Sequence, residues 1–387
     1  MSGIEFEEVF AEEGFGGVVD VFRRHFDEGK EVGASVVAYV GDKKVVDISR
    51  GYRDLSWSRP FTSSTPVVVF SSTKGVTAIA VHIAIEAGLI SYETPIAEVW
   101  PDFAQSGKAS ITLGQTLSHR SGVAIIDNDS LSIEDVSGWS EVIKALEVQK
   151  PIWEPGSRHG YHLRTFGWIH GEILRRLYRR DVSSIFDELI VDPLGVDFYL
   201  KWNDRLDDSI ADLSTDPSNV EVEVMIDLER KAGLSEQSIS AIHGPGRLFA
   251  YDQRWNEREY RSLGMPSSSA MTSADSLARI YKGVVHGHNG KKLIGTKVLT
   301  EATKEQSRGT DFILGRETAF GMGFALAPMI GDSLPPTAFG HPGAGGSLGF
   351  GDLEASISFG YTMNKMANAL IDDQRSNQIA KALYESL

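Results

Sequence analysis

The sequence predicts an α+β fold: one antiparallel sheet assembled from both ends of the chain, with a helical region inserted between them. Three observations lead there. A β-branched hairpin pattern occupies residues 33–52. Helical patterning cut by prolines dominates from Ser91 to about Tyr281. Strand patterning then returns near Ala319 and persists to Met363, so the strands lie at the two ends and the helices between.

Near the start, Val18, Phe22 and Phe26 recur at helical spacing, with Gly29 where a helix-ending glycine would stand. In "GASVVAYVGDKKVVDISRGY" two β-branched runs flank Gly41-Asp42-Lys43-Lys44, a hairpin signature. The run "GVTAIAVHIAIEAGL" has the length and propensities of a buried helix closed by Gly88. Beyond Ser91 the helical pattern is cut at Pro95, Pro101, Pro151, Pro155 and Pro193. Residues 204–236, rich in Asp and Glu and poor in aromatics, read as a solvated insertion. Thr272 with Asp275 matches a capping box opening another helix. In "AFGMGFALA" the large residues Phe320, Met322, Phe324 and Leu326 alternate with small ones, as in a strand packed on one face. "GGSLGFG" and "ASISFGYTM" form a second hairpin around Asp352-Leu353-Glu354, and a helix from about Asp373 to Leu387 ends the chain. No internal repeat or flexible linker is seen. The expected division is an α/β part from residues 1–75 and 290–387 and a mostly helical part from 76–289, with a site at their boundary.

Composition limits the functions available. With 41% hydrophobic and 24% charged residues, the 387-residue chain has the apolar mass for a sizeable core. A formal net charge of -15 opposes binding to nucleic acid or an anionic membrane. There is no cysteine, hence neither a disulfide framework nor a thiol nucleophile. The start, "MSGIEFEEVFAEEG", is acidic where a secretory signal would be basic, and the apolar stretch Gly75 to Ile90 is interrupted by His82 and Glu86. A soluble cytoplasmic protein is expected, and a homo-oligomer is left open.

The chemistry-bearing stretches are three. Ser71-Ser72-Thr73-Lys74 is the one Ser-x-x-Lys in the chain, and residues three apart on a helix share a face. A cap serine followed by an exposed lysine is the bland alternative. Phe70 and the apolar run after Gly75 instead place Lys74 in a buried helix, where an unpaired ammonium is costly and a lysine gives up its proton more easily. A serine at a helix N-terminus also has the dipole and free N–H groups beside it. In "WEPGSRHGYHLRTFGWIHGEIL" a Pro155-Gly156 turn precedes Tyr161 and then a helix bearing Phe166, Trp168, Ile169 and Ile173. A phenol beside an ammonium ionises more readily and can act as a base, if the fold brings it there.

The third stretch, "FGHPGAGGSLGFGD", allows close backbone approach but fits neither G-x-G-x-x-G nor a P-loop. Its Gly345-Gly346-Ser347-Leu348-Gly349 matches the hydrolase elbow G-x-S-x-G, yet no histidine follows between Leu348 and Leu387, so Ser347 is a decoy. His286-Gly287-His288-Asn289-Gly290 resembles an exposed turn, and His159 with His162 lack an H-E-x-x-H frame, so no metal is expected.

The order Ser-x-x-Lys, Tyr after a Pro-Gly turn, then a His-x-Gly strand resembles the serine β-lactamase and penicillin-binding-protein superfamily. "LSHRSGV" at 117–123 is similar to that superfamily's Leu-x-His-x-Ser-Gly segment, and "VVVFSSTKG", "YHLRTFGW" and "GHPGAGGSLGFGD" resemble its family VIII carboxylesterases. The resemblance spans essentially the whole chain. It implies a β-lactamase/DD-peptidase-like fold with Ser71 as nucleophile and Lys74 with Tyr161 handling protons. By the same resemblance the backbone N–H groups of Ser71 and Ala344 form the oxyanion hole, and His341, Pro342 and Gly343 take the place of a substrate-binding Lys-Thr-Gly. Leu163 stands where a β-lactamase of this type has Asn, and His341 where it has Lys. The implied activity is therefore hydrolysis of small, short-chain carboxylic esters through a serine acyl-enzyme, without cofactor, with weak β-lactam opening as a side activity. An acyltransferase to a small alcohol or amine, a true β-lactamase or peptidase, and a non-catalytic binding protein are the alternatives.

Overall fold

The computed structural model describes residues 6–215, 221–367 and 373–387. Its strands are β1 (Glu7–Ala11), β2 (Gly33–Val40), β3 (Lys43–Gly51), β4 (Val67–Val68), β5 (Phe198–Tyr199), β6 (Met271–Thr272), β7 (Ser307–Thr310), β8 (Glu317–Phe320), β9 (Ala325–Leu326), β10 (Ala338–Pro342), β11 (Leu348–Asp352) and β12 (Ile357–Met363). Nine of them form one antiparallel sheet in the order β1-β3-β2-β12-β11-β10-β9-β8-β7. The two ends of the chain meet where β12 pairs with β2, from Ile357 opposite Val40 to Met363 opposite Ala34. Both expected hairpins, β2–β3 and β11–β12, are present.

Alternation along β2 explains the layering, because successive side chains point to opposite faces. Val37 and Tyr39 pack with Ala274 and Ala278 of the helix Ala274–Val285. Val36 and Ala38 face the other way, into the core shared with Val18 and Phe22 of helix α1 (Gly16–Asp27). α1 lies against the terminal helix Gln374–Tyr384. Gly29, with φ +67°, supplies the left-handed residue just past α1. Helix α2 (Ser72–Glu86) is buried on nearly all sides, as its apolar sequence demands.

Three expectations are revised. "AFGMGFALA" is not one strand: β8 stops at Phe320, and the chain turns back through Gly323 (φ +84°) so that Phe320 pairs with Ala325. The glycines that mimicked alternation are there for the turn. Thr272 does not cap a helix, because its backbone is committed to β6 and its hydroxyl donates to Asp197 O at 2.6 Å. Ser273 caps instead, accepting from Ser276 N. The acidic stretch is not simply solvated. Its helix Val222–Lys231 buries Val222 and Ile226 against Ile239 and Ala250 in a small separate cluster, and residues 216–220 lie outside the described residues. No helix among the described residues is long and apolar enough to cross a membrane.

The core also holds ionisable groups. Burial pushes His82 and His162 down to about 4, and His170 and His341 down to about 3. Glu31 goes the other way. Burial raises it to about 7 although Arg375 Nη1 donates to it at 2.9 Å and the Tyr361 hydroxyl also donates to it. Arg375 further donates to Asp373, and at 2.5 Å to Gly345 O, fixing the turn after β10.

Each depressed imidazole stabilises the native state above its unfolded value of 6.5, and that contribution is lost as pH falls towards the folded value. Glu31 has the opposite sign, its stabilisation being lost as pH rises through about 7. The depressed imidazoles, His119 among them, outnumber the one raised carboxyl, so unfolding near pH 5.5 takes up several protons. Urea-unfolding free energy should therefore climb steeply from pH 5 to 6.5, and a flat profile would contradict these burials. Separately, Arg375→Met should cost about 3–5 kcal/mol by stranding buried carboxylates, and Glu31→Gln in the same chain should recover part of that loss in a denaturant cycle.

Candidate active site

The turn before α2 presents Ser71. β4 leads into Phe70, whose φ of +45° is unusual for a bulky side chain. Packing over-determines this strained residue. Its ring meets Tyr251 and Trp255 edge-on, with centroids 5.3 and 5.1 Å away, and its carbonyl accepts from Thr73 N at 2.9 Å. Ser71 follows at the N-terminus of α2, 8% exposed.

One turn on, Lys74 is fully buried. Its Nζ lies 3.0 Å from Ser71 Oγ and donates at 2.9 Å to Ser267 O. The Ser71 bond takes its direction from the lysine's charge: an ammonium donates, a free amine accepts the serine proton. Burial first, and the nearby Arg164 guanidinium second, hold the amine well below the usual lysine range. The segment carrying Ser267 threads between α2 and the helix Thr165–Tyr178. Thr77 Oγ1 donates to Pro266 O at 2.6 Å, and a Cβ at Gly167 would meet Ser267 N at 2.3 Å. Gly75, next to Lys74, allows a similar approach, since a Cβ there would sit 2.1 Å from the Tyr281 hydroxyl.

Tyr161 comes to the same place from the segment before the Thr165–Tyr178 helix. Its N–H donates to Asp311 Oδ1 at 3.0 Å, and its ring stacks on Phe320 at 5.8 Å and on His341 at 5.7 Å. The 119–121 segment braces it from behind: His119 Nδ1 accepts from His162 N at 3.1 Å, and Ser121 Oγ bonds His162 Nε2 at 2.7 Å. Lys74 Nζ is 5.0 Å from the Tyr161 ring centroid, and the nearby Ser71 hydroxyl favours ionisation of the phenol. The expected easier ionisation of this phenol is not found. Burial pushes it well above the ordinary range, outweighing the Ser71 hydroxyl and the Arg164 guanidinium that favour ionisation.

His341 completes the cluster, with both ring nitrogens engaged inside the protein. Nδ1 lies 2.7 Å from Pro342 O, a pure acceptor, so Nδ1 carries the proton. Nε2 is therefore the lone pair that accepts from the Tyr161 hydroxyl at 3.2 Å. Being 1% exposed and neutral, His341 presents no cation to a substrate. Beyond it, Gly343 permits close contact with the β4–α2 turn, since a Cβ would meet Val69 O at 2.1 Å. The N–H groups of Ser71 and Ala344 donate to no acceptor among the described residues, although both residues are buried. Such N–H groups are rare without a ligand to serve.

The other serine and histidine motifs lie apart from this chemistry. Ser347 is 1% exposed and donates to Val69 O at 2.8 Å, while its oxygen bonds Ser72 Oγ at 3.0 Å, so it ties β11 to the β4–α2 turn. His288 bridges Lys291 within its own turn. His159 bonds Thr318 Oγ1 at 2.9 Å. Among the described residues no group of three or more His, Asp or Glu side chains is arranged to hold a metal.

Sequence reasoning missed Ser267, Asp311, Tyr251 and Arg164. The Ser267 contact uses a backbone carbonyl, which leaves no mark on residue type. Asp311 acts 150 residues away from Tyr161. Arg164, three residues after Tyr161, was within reach as a charged residue opening an apolar helix.

Comparison with known proteins places this geometry in a family. The family model Beta-lactamase matches residues 18–384. The chain is 26% identical over 364 residues to Esterase/beta-lactamase LipL of Mycobacterium tuberculosis (strain ATCC 25618 / H37Rv), covering 92% of this chain and 82% of that one. It superposes with a TM-score of 0.88 on a penicillin-binding-protein homologue from Caulobacter crescentus, at 31% identity, with 99% of this chain and 100% of that one covered. A family VIII carboxylesterase gives the same TM-score at 30% identity and the same coverage. With a match running over nearly its whole length, this chain belongs to the β-lactamase family.

Proposed function

We propose that this protein is a serine carboxylesterase acting on small esters through an acyl-enzyme on Ser71. The observation that carries the reading is the buried Lys74 amine, 3.0 Å from Ser71 Oγ and depressed towards its free form, beside Ser71 and Ala344 N–H groups that have no acceptor among the described residues. Ser71 gives its proton to Lys74, and Oγ attacks the ester carbonyl. The oxyanion is received by the two N–H groups. As the tetrahedral adduct collapses, Tyr161 protonates the departing alkoxide and is reprotonated from the Lys74 ammonium, which restores the free amine. Water then attacks the acyl group by the same proton path in reverse. His341 Nε2 holds the Tyr161 proton between steps.

Esters are favoured over β-lactams by two features of this site. Leu163 is buried and apolar where an amide side chain would engage the lactam, and the neutral, enclosed His341 offers no charge to a lactam carboxylate. The name of the family VIII carboxylesterase neighbour supports the same choice, while LipL is named both esterase and β-lactamase.

Ser71→Ala should reduce p-nitrophenyl ester hydrolysis by about 10⁴-fold or more and abolish labelling by a serine-reactive phosphonate. Ser347→Ala should keep both. An acyl-length series run beside nitrocefin should favour short acyl chains, with nitrocefin turned over far more slowly. Full activity in Ser71→Ala, or nitrocefin as the better substrate, would refute the proposal.

A further inference from the structure

Arg164 is a buried cation beside the site, and among the described residues no carboxylate forms an ion pair with it. The residue is 1% exposed. Its Nε and Nη2 donate to Ile242 O at 3.3 and 3.1 Å, and Nη1 donates to Ser268 Oγ at 3.1 Å. Its guanidinium lies 4.7 and 5.0 Å from the Phe249 and Tyr251 ring centroids. All these partners are neutral. A buried cation without a counter-ion is costly, and the hydrogen bonds alone could be made by a neutral amide.

Its position relates it to Lys74. Lys74 grips Ser267 O, Arg164 grips Ser268 Oγ, and the two serine hydroxyls are 3.3 Å apart, so both basic side chains hold one two-residue turn in a water-poor interior. Like charges so placed oppose each other strongly. We infer that the Arg164 guanidinium is the fixed positive charge that keeps the Lys74 amine in its proton-accepting form and so sets the acid limb of the reaction. This rests on the reading of Lys74 as the base for Ser71.

Arg164 acts through Lys74 and is a positioning residue. The remaining groups facing Lys74 cannot take its place. His341 on β10 and His119 are held neutral by burial, and Tyr161 is held protonated. Tyr251 is raised by burial as well. Asp311 approaches the cluster by accepting the Tyr161 N–H. Repulsion by Arg164 follows burial among the causes that depress Lys74, and the same guanidinium favours ionisation of Tyr161.

The test is the pH profile of kcat/KM for a p-nitrophenyl ester and of phosphonate labelling, in wild type, Arg164→Met, Arg164→Lys and Ser268→Asp. Arg164→Met should move the acid limb up by about one pH unit, a loss of about tenfold at any pH well below it. Arg164→Lys should keep the limb in place. Ser268→Asp leaves the arginine where it is but sets a neutralising carboxylate against it. Its limb should also move up, so the test does not depend on folding of the methionine variant. A folded Arg164→Met or Ser268→Asp with an unmoved limb, even at a uniformly lower rate, would overturn the inference and leave Arg164 a packing residue. A wild-type limb that survives in the residual activity of Lys74→Met would instead overturn Lys74 as the base, a separate failure.

Discussion

The amine of Lys74, sealed between Ser71 Oγ and Ser267 O, is the contact on which the rest of the molecule depends. A lysine in water is an ammonium with no lone pair to offer. Removing water from it takes away most of what favours the charge, and the fold does this from every side. α2 supplies the all-apolar helix, β10 and the turn after it close one flank, and the 265–270 segment closes another. The glycines at 75, 167 and 343 are the points where neighbouring backbone or side chains come too close for a Cβ.

Around that amine the protein arranges neutral acceptors and donors more than opposite charges. His341, His162 and His170 are imidazoles held uncharged by burial, and Tyr161 is a phenol held protonated. In the proposed mechanism one proton moves among serine, amine, phenol and alcohol without an uncompensated carboxylate or a fixed cation facing the substrate. Leu163 and His341, both buried and uncharged, set no fixed charge on that side of the cluster.

Much of this was legible in the sequence because its decisive parts are local. Ser71 and Lys74 are three residues apart, so helical geometry alone places them together. The hairpins at 33–52 and 345–363 announce themselves by alternation, and their sharing of one sheet follows from their positions at the two ends. What could not be read depends on long-range backbone chemistry or on missing partners. The Ser267 carbonyl could belong to any residue. The Asp311 carboxylate fixes Tyr161 from across the fold. Arg164 is notable for the counter-charge it lacks, which a string of residues cannot display. The alternation in "AFGMGFALA" misled for a related reason: glycine satisfies a strand pattern and a tight turn equally well, and only the φ of Gly323 separates them.

The most direct measurement is the ¹³C NMR titration of the Lys74 ε-carbon in protein carrying labelled lysine, assigned by its loss in Lys74→Met. Burial and repulsion predict that the resonance takes the shift of a free amine well below the pH at which an ordinary lysine does so. An ammonium shift that persists from neutral pH up to the ordinary lysine range near 10.4 would contradict the account at its base.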